Sequence, residues 1–314
     1  MSLERALELA ERGRGRVEGT HPLVGSLLVR DGEVVGEGWY AGRGTPHAEV
    51  GALEAAGERA RGATLYVSLE PCSHHGTTPP CADAVVEAGV ARVVAAVGDP
   101  NPKVNGRGFE RLRAAGVDVE VADLWEARVQ NEAWRTWIAL GRPFVTYKVA
   151  LTLDGRVTVP GSRWVSGETS RRRVHELRAA SDAVAVGMGT VRADDPALTA
   201  RGVGAERQPR RLAFGGGPLA EGSELELRSG PLEQELTALA DEGVRSLLLE
   251  GGPTLATAFL RAGLVDKLLV FLAPRVSGEG PHAFGELPAP RALLHARAEA
   301  MGDDVLLSGY LREP

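Results

Sequence analysis

The sequence predicts an α/β protein of two domains. Its 314 residues exceed one average domain and are enough for two. In each half, short apolar runs typical of strands alternate with amphipathic stretches typical of helices, which indicates sheets covered by helices. Gly141-Arg142-Pro143 interrupts this alternation. We therefore expect one domain over residues 1–142 and a second over residues 143–314.

In the first half, turn residues and prolines locate the elements. Asp31-Gly32 is a typical two-residue hairpin turn, so the runs on its two sides pair as strands. Prolines directly before His47 and Cys81 fit the first turns of two helices. The predicted helices cover 3–13, 47–57, 81–88, 109–115 and 123–140, and the predicted strands cover 23–30, 33–38, 64–69, 92–97 and 117–121.

In the second half, the alternation starts again after the break. Two glycine-rich turns that follow strands, Gly187-Met188-Gly189 and Gly251-Gly252, allow a phosphate to approach the backbone, although such glycines are more often simple turns. No Gly-x-Gly-x-x-Gly fingerprint occurs, so a Rossmann fold is not indicated. The predicted strands cover 144–152, 183–187, 210–214, 246–250 and 267–273, and the predicted helices cover 168–180, 232–242 and 254–262.

Composition and charge narrow the class of protein. The formal net charge is -6 and aromatic residues make up 5%, without the basic stripe of a nucleic-acid-binding protein. No apolar run is long enough to span a membrane, and the charged N-terminus has no signal-peptide core. Two cysteines are too few for a disulfide framework and suit a reducing compartment. We expect a cytoplasmic protein that acts on a small molecule, with no nucleic-acid or membrane partner.

The two cysteines belong to a candidate metal site. One imidazole and two thiolates, from His47, Cys72 and Cys81, form a zinc ligand set that leaves a fourth position for water. Glu49, two residues after the histidine, is placed for proton transfer beside the metal. Together these residues are typical of a zinc hydrolase that removes an amino group from a base. A structural zinc site, completed by one of the histidines that follow Cys72, is the alternative.

Several motifs resemble the bifunctional deaminase–reductase family of riboflavin biosynthesis. They occur in the same order as in that family and span nearly the whole chain. The resemblance implies a cytidine-deaminase-like αβα sandwich followed by a dihydrofolate-reductase-like α/β domain. The motifs are Glu70-Pro71-Cys72-Ser73-His74-His75, Asp99-Pro100-Asn101-Pro102, Leu151-Thr152-Leu153-Asp154-Gly155-Arg156, Ala193-Asp194-Asp195-Pro196 and Glu250-Gly251-Gly252-Pro253-Thr254.

For the first domain, the resemblance implies hydrolysis of the 2-amino group of a diaminopyrimidinone ribosyl phosphate. His47, Cys72 and Cys81 would hold Zn²⁺, and Glu49 would be catalytic. His21 stands where the family usually has an asparagine; an imidazole still donates a hydrogen bond, and its charge depends on pH. Taken alone, the loop residues among the expected contacts are more often simple hydrogen-bonding residues. The expected substrate contacts are His21, His74, His75 and Asn101.

For the second domain, the resemblance implies that NADPH delivers hydride to C1 of the ribosyl group, which becomes a ribityl chain. Lys148, one of only three lysines, would be catalytic; its alternative role is an edge-strand lysine whose amine reaches water. The implied cofactor contacts are Ala150, Trp164, Thr190, Asp194, Gly252, Pro253, Thr254, Leu255 and Ala256. The implied substrate contacts are Ser162, Arg178, Leu198, Arg201 and Glu250, of which the two arginines suit a phosphate.

A shortened segment after Phe214 departs from the family pattern. Gly215-Gly216-Gly217 follows, and the distance to the Glu250 motif is shorter than usual. The shortening either trims loops or removes a strand from the wall expected to meet the adenosine phosphate. Four functions therefore stay open: the bifunctional enzyme, a zinc deaminase with a non-competent reductase-like domain, a nucleic-acid base deaminase, and a zinc-stabilised binding protein. The resemblance favours the first, as a homodimer or homotetramer.

Overall fold

Two sheets, each with its own buried core, organise the chain in a computed structural model that describes residues 2–17, 19–75 and 79–314. The chain divides into two compact units, Met1–Gly141 and Arg142–Pro314. Each unit is an α/β structure, which agrees with the class expected from the alternating pattern. Among the helices described, none combines the length and apolar character needed to cross a membrane.

The first unit contains a five-stranded sheet in the order β2-β1-β3-β4-β5. β1 pairs antiparallel with β2 and β3, whereas β3, β4 and β5 run parallel. Parallel neighbours need crossovers, which α3 and α4 supply. In chain order the elements are α1 (Ser2–Glu11), β1 (Gly25–Arg30), β2 (Glu33–Trp39), α2 (Ala48–Ala56), a 3-10 turn (Gly57–Ala60), β3 (Thr64–Val67), α3 (Cys81–Glu87), β4 (Arg92–Ala95), α4 (Arg107–Ala114), β5 (Asp118–Val121), α5 (Trp125–Gln130) and α6 (Glu132–Leu140).

Helix α2 lies unusually close to the sheet. A Cβ atom on Gly38 would lie 2.2 Å from the carbonyl oxygen of Ala48, so a side chain at this position would push the helix away. The hydroxyl of Ser26 in β1 donates a hydrogen bond to the same carbonyl over 2.6 Å. The N-terminus of α2 is therefore fixed against β1 and β2, and the side chains of its first turn have a defined position.

The single helix expected over 123–140 is wrong, because the chain forms two helices that are separated at Asn131. The Asn131 side chain is 5% exposed and bonds the backbone of Leu23 twice. Its Oδ1 accepts from the Leu23 N–H over 2.8 Å, and its Nδ2 donates to the Leu23 carbonyl over 2.9 Å. Asparagine side chains compete with helical hydrogen bonding in this way, and the long-range partner fixes the break.

The second unit contains an eight-stranded sheet in the order β12-β13-β11-β6-β10-β7-β8-β9. The strands from β11 to β9 are parallel, and β13 pairs antiparallel with β11 and β12. In chain order the elements are β6 (Phe144–Thr152), α7 (Glu168–Ala180), β7 (Ala183–Gly187), α8 (Met188–Asp194), β8 (Arg210–Phe214), β9 (Glu226–Arg228), α9 (Leu232–Asp241), β10 (Ser246–Leu249), α10 (Pro253–Arg261), β11 (Lys267–Ala273), β12 (Leu294–Met301) and β13 (Asp304–Tyr310).

The shortened segment after Phe214 retains an edge strand. β9 pairs parallel with β8, and α9 follows it. Arg210 and Arg228 from these strands each donate a hydrogen bond of 2.6 Å to Glu242 at the end of α9. These charge-assisted bonds fasten the edge of the sheet to the helix. The shortened segment thus contains a strand, which forms this edge of the sheet.

One buried carboxylate joins the beginning and the end of the second unit. Asp266 is 1% exposed and precedes β11. It accepts two hydrogen bonds from Arg142, of 2.8 and 2.9 Å, and one of 2.8 Å from the backbone N–H of Val145. Arg312, two residues after β13, donates to the same carboxylate. With this many donors, the buried charge is fully compensated.

Candidate active site

The first turn of α2 carries two of the predicted residues. His47 is the extended residue that precedes the helix, with φ -64 and ψ 158. Glu49 lies in the first turn and is only 4% exposed. Because the close contact with β2 fixes this turn, the imidazole and the carboxylate are held beside each other. Pro46 directly before His47 agrees with the predicted helix start.

The two cysteine sulfurs lie next to this histidine. The Nδ1 atom of His47 is 3.2 Å from Sγ of Cys81 and 3.7 Å from Sγ of Cys72. Cys81 begins α3, and its backbone N–H donates to the Cys72 sulfur over 3.3 Å. The three possible ligand atoms lie within 4.8 Å of one another. Ligands of a tetrahedral zinc ion are roughly 3.5 Å apart, so both the spacing and the donor atoms fit this metal.

A fourth protein ligand is not found among the residues that the structure describes. The group of possible ligands contains His47, Cys72 and Cys81, and neither His74 nor His75 belongs to it. Structural zinc sites usually have four protein ligands, whereas catalytic sites have three and an open position. The arrangement therefore favours a catalytic metal site over the structural alternative.

The surroundings of Glu49 suit proton transfer. Burial raises the pKa of Glu49 to about 7, and the negative charge of Cys72 acts in the same direction. The pKa of Cys72 is lowered because the Cys81 side chain and His47 donate hydrogen bonds to its sulfur. A thiolate is the form that binds metal, and a carboxyl group with a pKa near neutrality can both accept and release a proton. The surroundings thus raise the pKa of Glu49 and lower that of Cys72.

A cavity of about 350 Å³ opens beside these residues. His21, His74 and Asn101, three of the expected substrate contacts, line it together with Glu49, whereas the fourth, His75, is exposed and is not part of the lining. The full lining is Thr20, His21, Pro22, Val24, Tyr40, His47, Ala48, Glu49, Leu69, Glu70, Cys72, His74, Asp99, Asn101, Val104, Trp134, Trp137 and Ile138. Tyr40, Glu70, Asp99 and the three residues of α6 were not anticipated from the sequence.

Glu70 organises the loop that carries Asn101. Its carboxylate is 4% exposed and accepts backbone hydrogen bonds from Asp99, Gly106 and Gly108, of 3.1, 3.0 and 3.0 Å. These bonds fold the loop against the cavity. The sequence places Glu70 directly before Pro71-Cys72, but a carboxylate whose partners are backbone groups leaves no pattern of its own.

In the second unit, three predicted residues form one charged cluster. Arg178 of α7 binds both oxygens of Glu250, with distances of 2.6 and 3.0 Å. Nζ of Lys148 in β6 lies 3.6 Å from Oε2 of the same carboxylate. Burial opposes ionisation of Glu250, but the charge of Lys148 and the bonds from Arg178 lower its pKa overall. The guanidinium of Arg178 donates to both oxygens of Glu250, and the expected contacts of Arg178 and Arg201 with a phosphate stay predictions.

His175 holds the backbone next to Arg201 and was missed at the sequence level. Its Nδ1 atom lies 3.2 Å from the backbone N of Arg201 and 3.1 Å from the carbonyl oxygen of Thr199. Arg178 also donates to the Thr199 carbonyl, over 3.2 Å. Leu198 is 3% exposed and belongs to a hydrophobic cluster, as expected for a core residue. Helix α7 therefore positions the loop that presents Arg201.

The predicted cofactor residues fall into separate groups. A Cβ atom on Gly252 would lie 3.3 Å from Oγ1 of Thr190, so the turn before α10 and helix α8 are neighbours. Pro253, Thr254, Leu255 and Ala256 form the first turn of α10, and Ala150 lies in β6. Asp194 is the exposed last residue of α8. The Ser162 hydroxyl donates to the Trp164 carbonyl over 2.8 Å, and the Trp164 ring is 49% exposed beneath two guanidinium groups, those of Arg163 and Arg171.

The cradle formed by these groups fits a phosphate-containing cofactor. Gly252 precedes α10, whose first backbone N–H groups are free of helical partners. A side chain at Gly252 would point toward Thr190 in tight contact, so a glycine leaves the most room for an approaching group at this position.

Family models match both units. The model described as the cytidine and deoxycytidylate deaminase zinc-binding region matches residues 2–97. The model described as the RibD C-terminal domain matches residues 143–215 and 227–307, and the gap between these ranges falls in the shortened segment.

Curated relatives and solved structures match over almost the full length. The riboflavin biosynthesis protein RibD of Aquifex aeolicus is 41% identical, over 88% of this chain and 87% of the relative. RibD of Escherichia coli is 39% identical, over 94% and 92%. A structure of Acinetobacter baumannii RibD is 34% identical with a TM-score of 0.79, and it covers 98% of this chain and 97% of its own.

A Thermotoga maritima structure carries the two activities in its description, a diaminohydroxyphosphoribosylaminopyrimidine deaminase and a 5-amino-6-(5-phosphoribosylamino)uracil reductase. It is 33% identical with a TM-score of 0.79 and covers 98% of this chain and 97% of its own. These matches confirm the predicted fold class, a cytidine-deaminase-like sandwich followed by a dihydrofolate-reductase-like domain. The chain belongs to the RibD family of bifunctional riboflavin biosynthesis proteins.

Proposed function

We propose that the chain deaminates a diaminopyrimidinone ribosyl phosphate and then reduces the ribosyl group of the product to a ribityl chain. The observation that carries this proposal is the cluster of His47, Cys72 and Cys81 next to a cavity that the buried Glu49 lines. Membership of the RibD family supports the same pair of reactions. The first unit, Met1–Gly141, acts in the first reaction and the second unit, Arg142–Pro314, in the second.

In the deamination, His47, Cys72 and Cys81 would hold Zn²⁺, which would supply Lewis-acid activation of a water molecule. Glu49 accepts a proton from that water as it adds to C2 of the pyrimidine. The same carboxyl group then delivers protons to the departing amino group, so that one water is consumed and one ammonia leaves.

Polar side chains of the cavity orient this substrate. We assign His21, His74 and Asn101 to contacts with the pyrimidine and its ribosyl phosphate, because these side chains line the same cavity as Glu49. His75 remains a prediction from the resemblance.

In the reduction, NADPH supplies the reducing equivalents when bound. The turn at Gly252 and the first turn of α10, with Thr190, are the proposed cradle for its phosphates, and Ala150, Trp164 and Asp194 complete the proposed contacts. Lys148, held by Glu250, delivers the proton that balances hydride addition as the ribosyl ring opens. Arg201 binds the substrate phosphate, and Ser162, Arg178 and Leu198 shape the site around it.

The setting of the enzyme follows from its chemistry. Two thiols at a metal site require a reducing compartment, which supports the cytoplasm. A homodimer or homotetramer is proposed from the family resemblance, with light scattering as its test. The substrates are small phosphorylated pyrimidines, and the acidic net charge of -6 disfavours a nucleic acid.

The test is turnover of the diaminopyrimidinone ribosyl phosphate with and without NADPH, with zinc content measured on the same sample. We expect ammonia release both with and without NADPH, and we expect NADPH oxidation only after deamination. Ammonia release without NADPH oxidation at saturating cofactor would instead establish the zinc deaminase with a non-competent second domain. Absence of both activities in zinc-loaded protein would leave the zinc-stabilised binding protein.

A further inference from the structure

We propose that helix α6 forms the apolar wall of the substrate site in the deaminase unit and that Trp137 packs against the pyrimidine ring of the substrate. This inference rests on the proposed deamination. Three side chains of α6, those of Trp134, Trp137 and Ile138, line the cavity that also contains Glu49 and Cys72. Residues three and four apart lie on one face of a helix, so these three form a continuous apolar wall.

The position of α6 in the sequence separates it from the shared chemistry. The deaminase zinc-binding region matches residues 2–97, which include His47, Glu49 and both cysteines. Helix α6, Glu132–Leu140, lies beyond that region. The residues that activate water are therefore common to a broad class of deaminases, and this wall is an addition to them.

Two polar anchors fix α6 to the loops that carry the expected substrate contacts. Asn131, directly before the helix, bonds both backbone groups of Leu23, between the cavity residues Pro22 and Val24. Arg135 donates to the carbonyl oxygen of Gly98 over 2.9 Å. That carbonyl precedes the Asp99–Asn101 loop, which also lines the cavity. The wall is thus held at a fixed distance from both loops.

The two tryptophans of the wall differ in role. Trp134 is 7% exposed and belongs to a core cluster with Leu69, Ala96 and Val97, so it is mainly structural. Trp137 is half-buried and packs against the edge of the same cluster. Of the two, Trp137 has the more accessible ring facing the cavity.

The chemistry of an indole indicates what it binds. An indole face offers a broad apolar surface, and planar bases stack on such rings without depending on their edge groups. The polar residues of the lining, including Glu49, His74 and Asn101, suit the edges of a base and its phosphorylated sugar. A flat heterocycle with polar edges matches this combination of one apolar wall and several polar groups. The pyrimidine ring of the proposed substrate is such a group.

Binding without turnover tests the contact directly. In a Glu49→Gln background, which blocks proton transfer, the diaminopyrimidinone ribosyl phosphate is titrated by calorimetry into zinc-loaded protein carrying Trp137→Ala, Trp137→Phe or no further change. We expect Kd to rise about 10- to 100-fold for the alanine variant, the range observed when a stacking ring is removed, and about threefold or less for phenylalanine. Trp125→Ala is the matched control, because Trp125 begins α5 and does not line the cavity.

Kinetics with Glu49 intact separate contact from structural damage. We expect Trp137→Ala to raise KM for deamination, with zinc content unchanged, and the phenylalanine variant to recover most of the loss. An unchanged Kd and KM in Trp137→Ala, or an equal loss in Trp125→Ala, would overturn the inference. If the alanine variant fails to fold, Trp137→Leu supplies the comparison: it keeps apolar volume but lacks a flat ring, and affinity equal to that of the phenylalanine variant would also overturn it.

Failure of this inference is distinguishable from failure of the proposed function. If the unaltered, zinc-loaded chain releases no ammonia from the diaminopyrimidinone substrate, the deaminase assignment itself is lost. If it does release ammonia but Trp137→Ala behaves like the unaltered chain, only the role of α6 is lost.

Discussion

The two candidate sites are assembled over different spans of sequence. In the first unit, His47 and Glu49 lie at the start of α2. Cys72 lies between β3 and α3, and Cys81 begins α3. In the second unit, Lys148 lies in β6, and Glu250 follows β10, its parallel neighbour in the sheet. The first site can be proposed from its residue types and their positions along the sequence. The residues of the second were expected from the family resemblance, and the strand order shows how β6 and β10 bring Lys148 and Glu250 together.

The two buried carboxylates also differ in their electrostatics. Burial, with the nearby charge of Cys72, raises the pKa of Glu49 to about 7. Glu250 is also buried, but Lys148 and Arg178 outweigh that effect and lower its pKa. The first group is suited to gain and lose a proton, and the second is a fixed charge that orients two cations. Each of the following predictions tests one difference between the two candidate sites.

Metal removal should have the largest effect and should act on one site only. Dialysis against a chelator should abolish deamination, because His47, Cys72 and Cys81 lose the ion that activates water. NADPH oxidation measured with the already deaminated substrate should continue, since no residue of the Lys148 cluster belongs to the metal group. Restored zinc should restore ammonia release. Equal loss of both activities would mean that the sites are not independent.

Glu49→Gln should reduce kcat for deamination by about 1,000-fold, because the amide cannot transfer protons. Zinc content and reduction of the deaminated substrate should be unchanged. Glu54→Gln, an exposed position on the same helix, is the control and should behave like the unaltered chain. Retained deamination in the Glu49 variant, with metal bound, would exclude this residue as the proton carrier.

Arg178→Lys should weaken the second site by about tenfold in kcat/KM for reduction. A lysine keeps the charge but cannot bind both oxygens of Glu250, so the carboxylate loses its fixed orientation. Deamination in the same protein should remain at its full rate. Arg172→Lys on the exposed side of α7 serves as the matched control. A normal rate of reduction would show that the two-pronged contact has no role in the reaction.

The pH dependence of His175 should produce the smallest effect. Burial, with the charge of Arg178, lowers its pKa from the ordinary 6.5, so the ring is neutral at pH 7 and Nδ1 accepts from the Arg201 N–H. Protonation at lower pH removes that acceptor and favours donation to Thr199. KM for reduction should therefore rise about fivefold as the pH falls through the lowered pKa, the value of one hydrogen bond.

Folding stability should decrease over the same pH range in which KM rises. The unfolded chain protonates at the ordinary pKa and the folded chain only below it, so the His175 contribution is present above about pH 6.5 and is lost as the pH falls. In His175→Asn, both KM and the unfolding midpoint should lose this component of their pH dependence. An unaltered profile would assign the pH dependence to another group.

Most elements of both sheets could be predicted because their strands are short apolar runs between turns. β9, β12 and β13 were not predicted: β9 has only three residues, and β12 is exposed along nearly its whole length and lacks the alternation that a half-buried strand shows. The break at Asn131 was missed because its cause is a partner 108 residues away. Local periodicity contains no information on such a contact.

The same limit applies to the sites. The metal group is specified by residue types that have few other uses at that spacing, so His47, Glu49, Cys72 and Cys81 could be proposed from the sequence. Glu70 and His175 act on backbone N–H groups, which every residue has, and therefore no side-chain pattern indicates them. The tryptophans of the apolar wall on α6 can be seen in the sequence, but only the structure shows that they line the cavity.

The carboxylate of Asp266 has a consequence for modularity. Because Arg142 and Arg312 converge on it, the polypeptide enters and leaves the eight-stranded sheet at nearly the same point. A unit whose entry and exit coincide can be joined to other sequences, or rearranged by linking its ends, without spanning a large gap. The carboxylate of Asp266 thus holds the two ends of residues 142–312 close together, as in a domain that can be inserted into another chain.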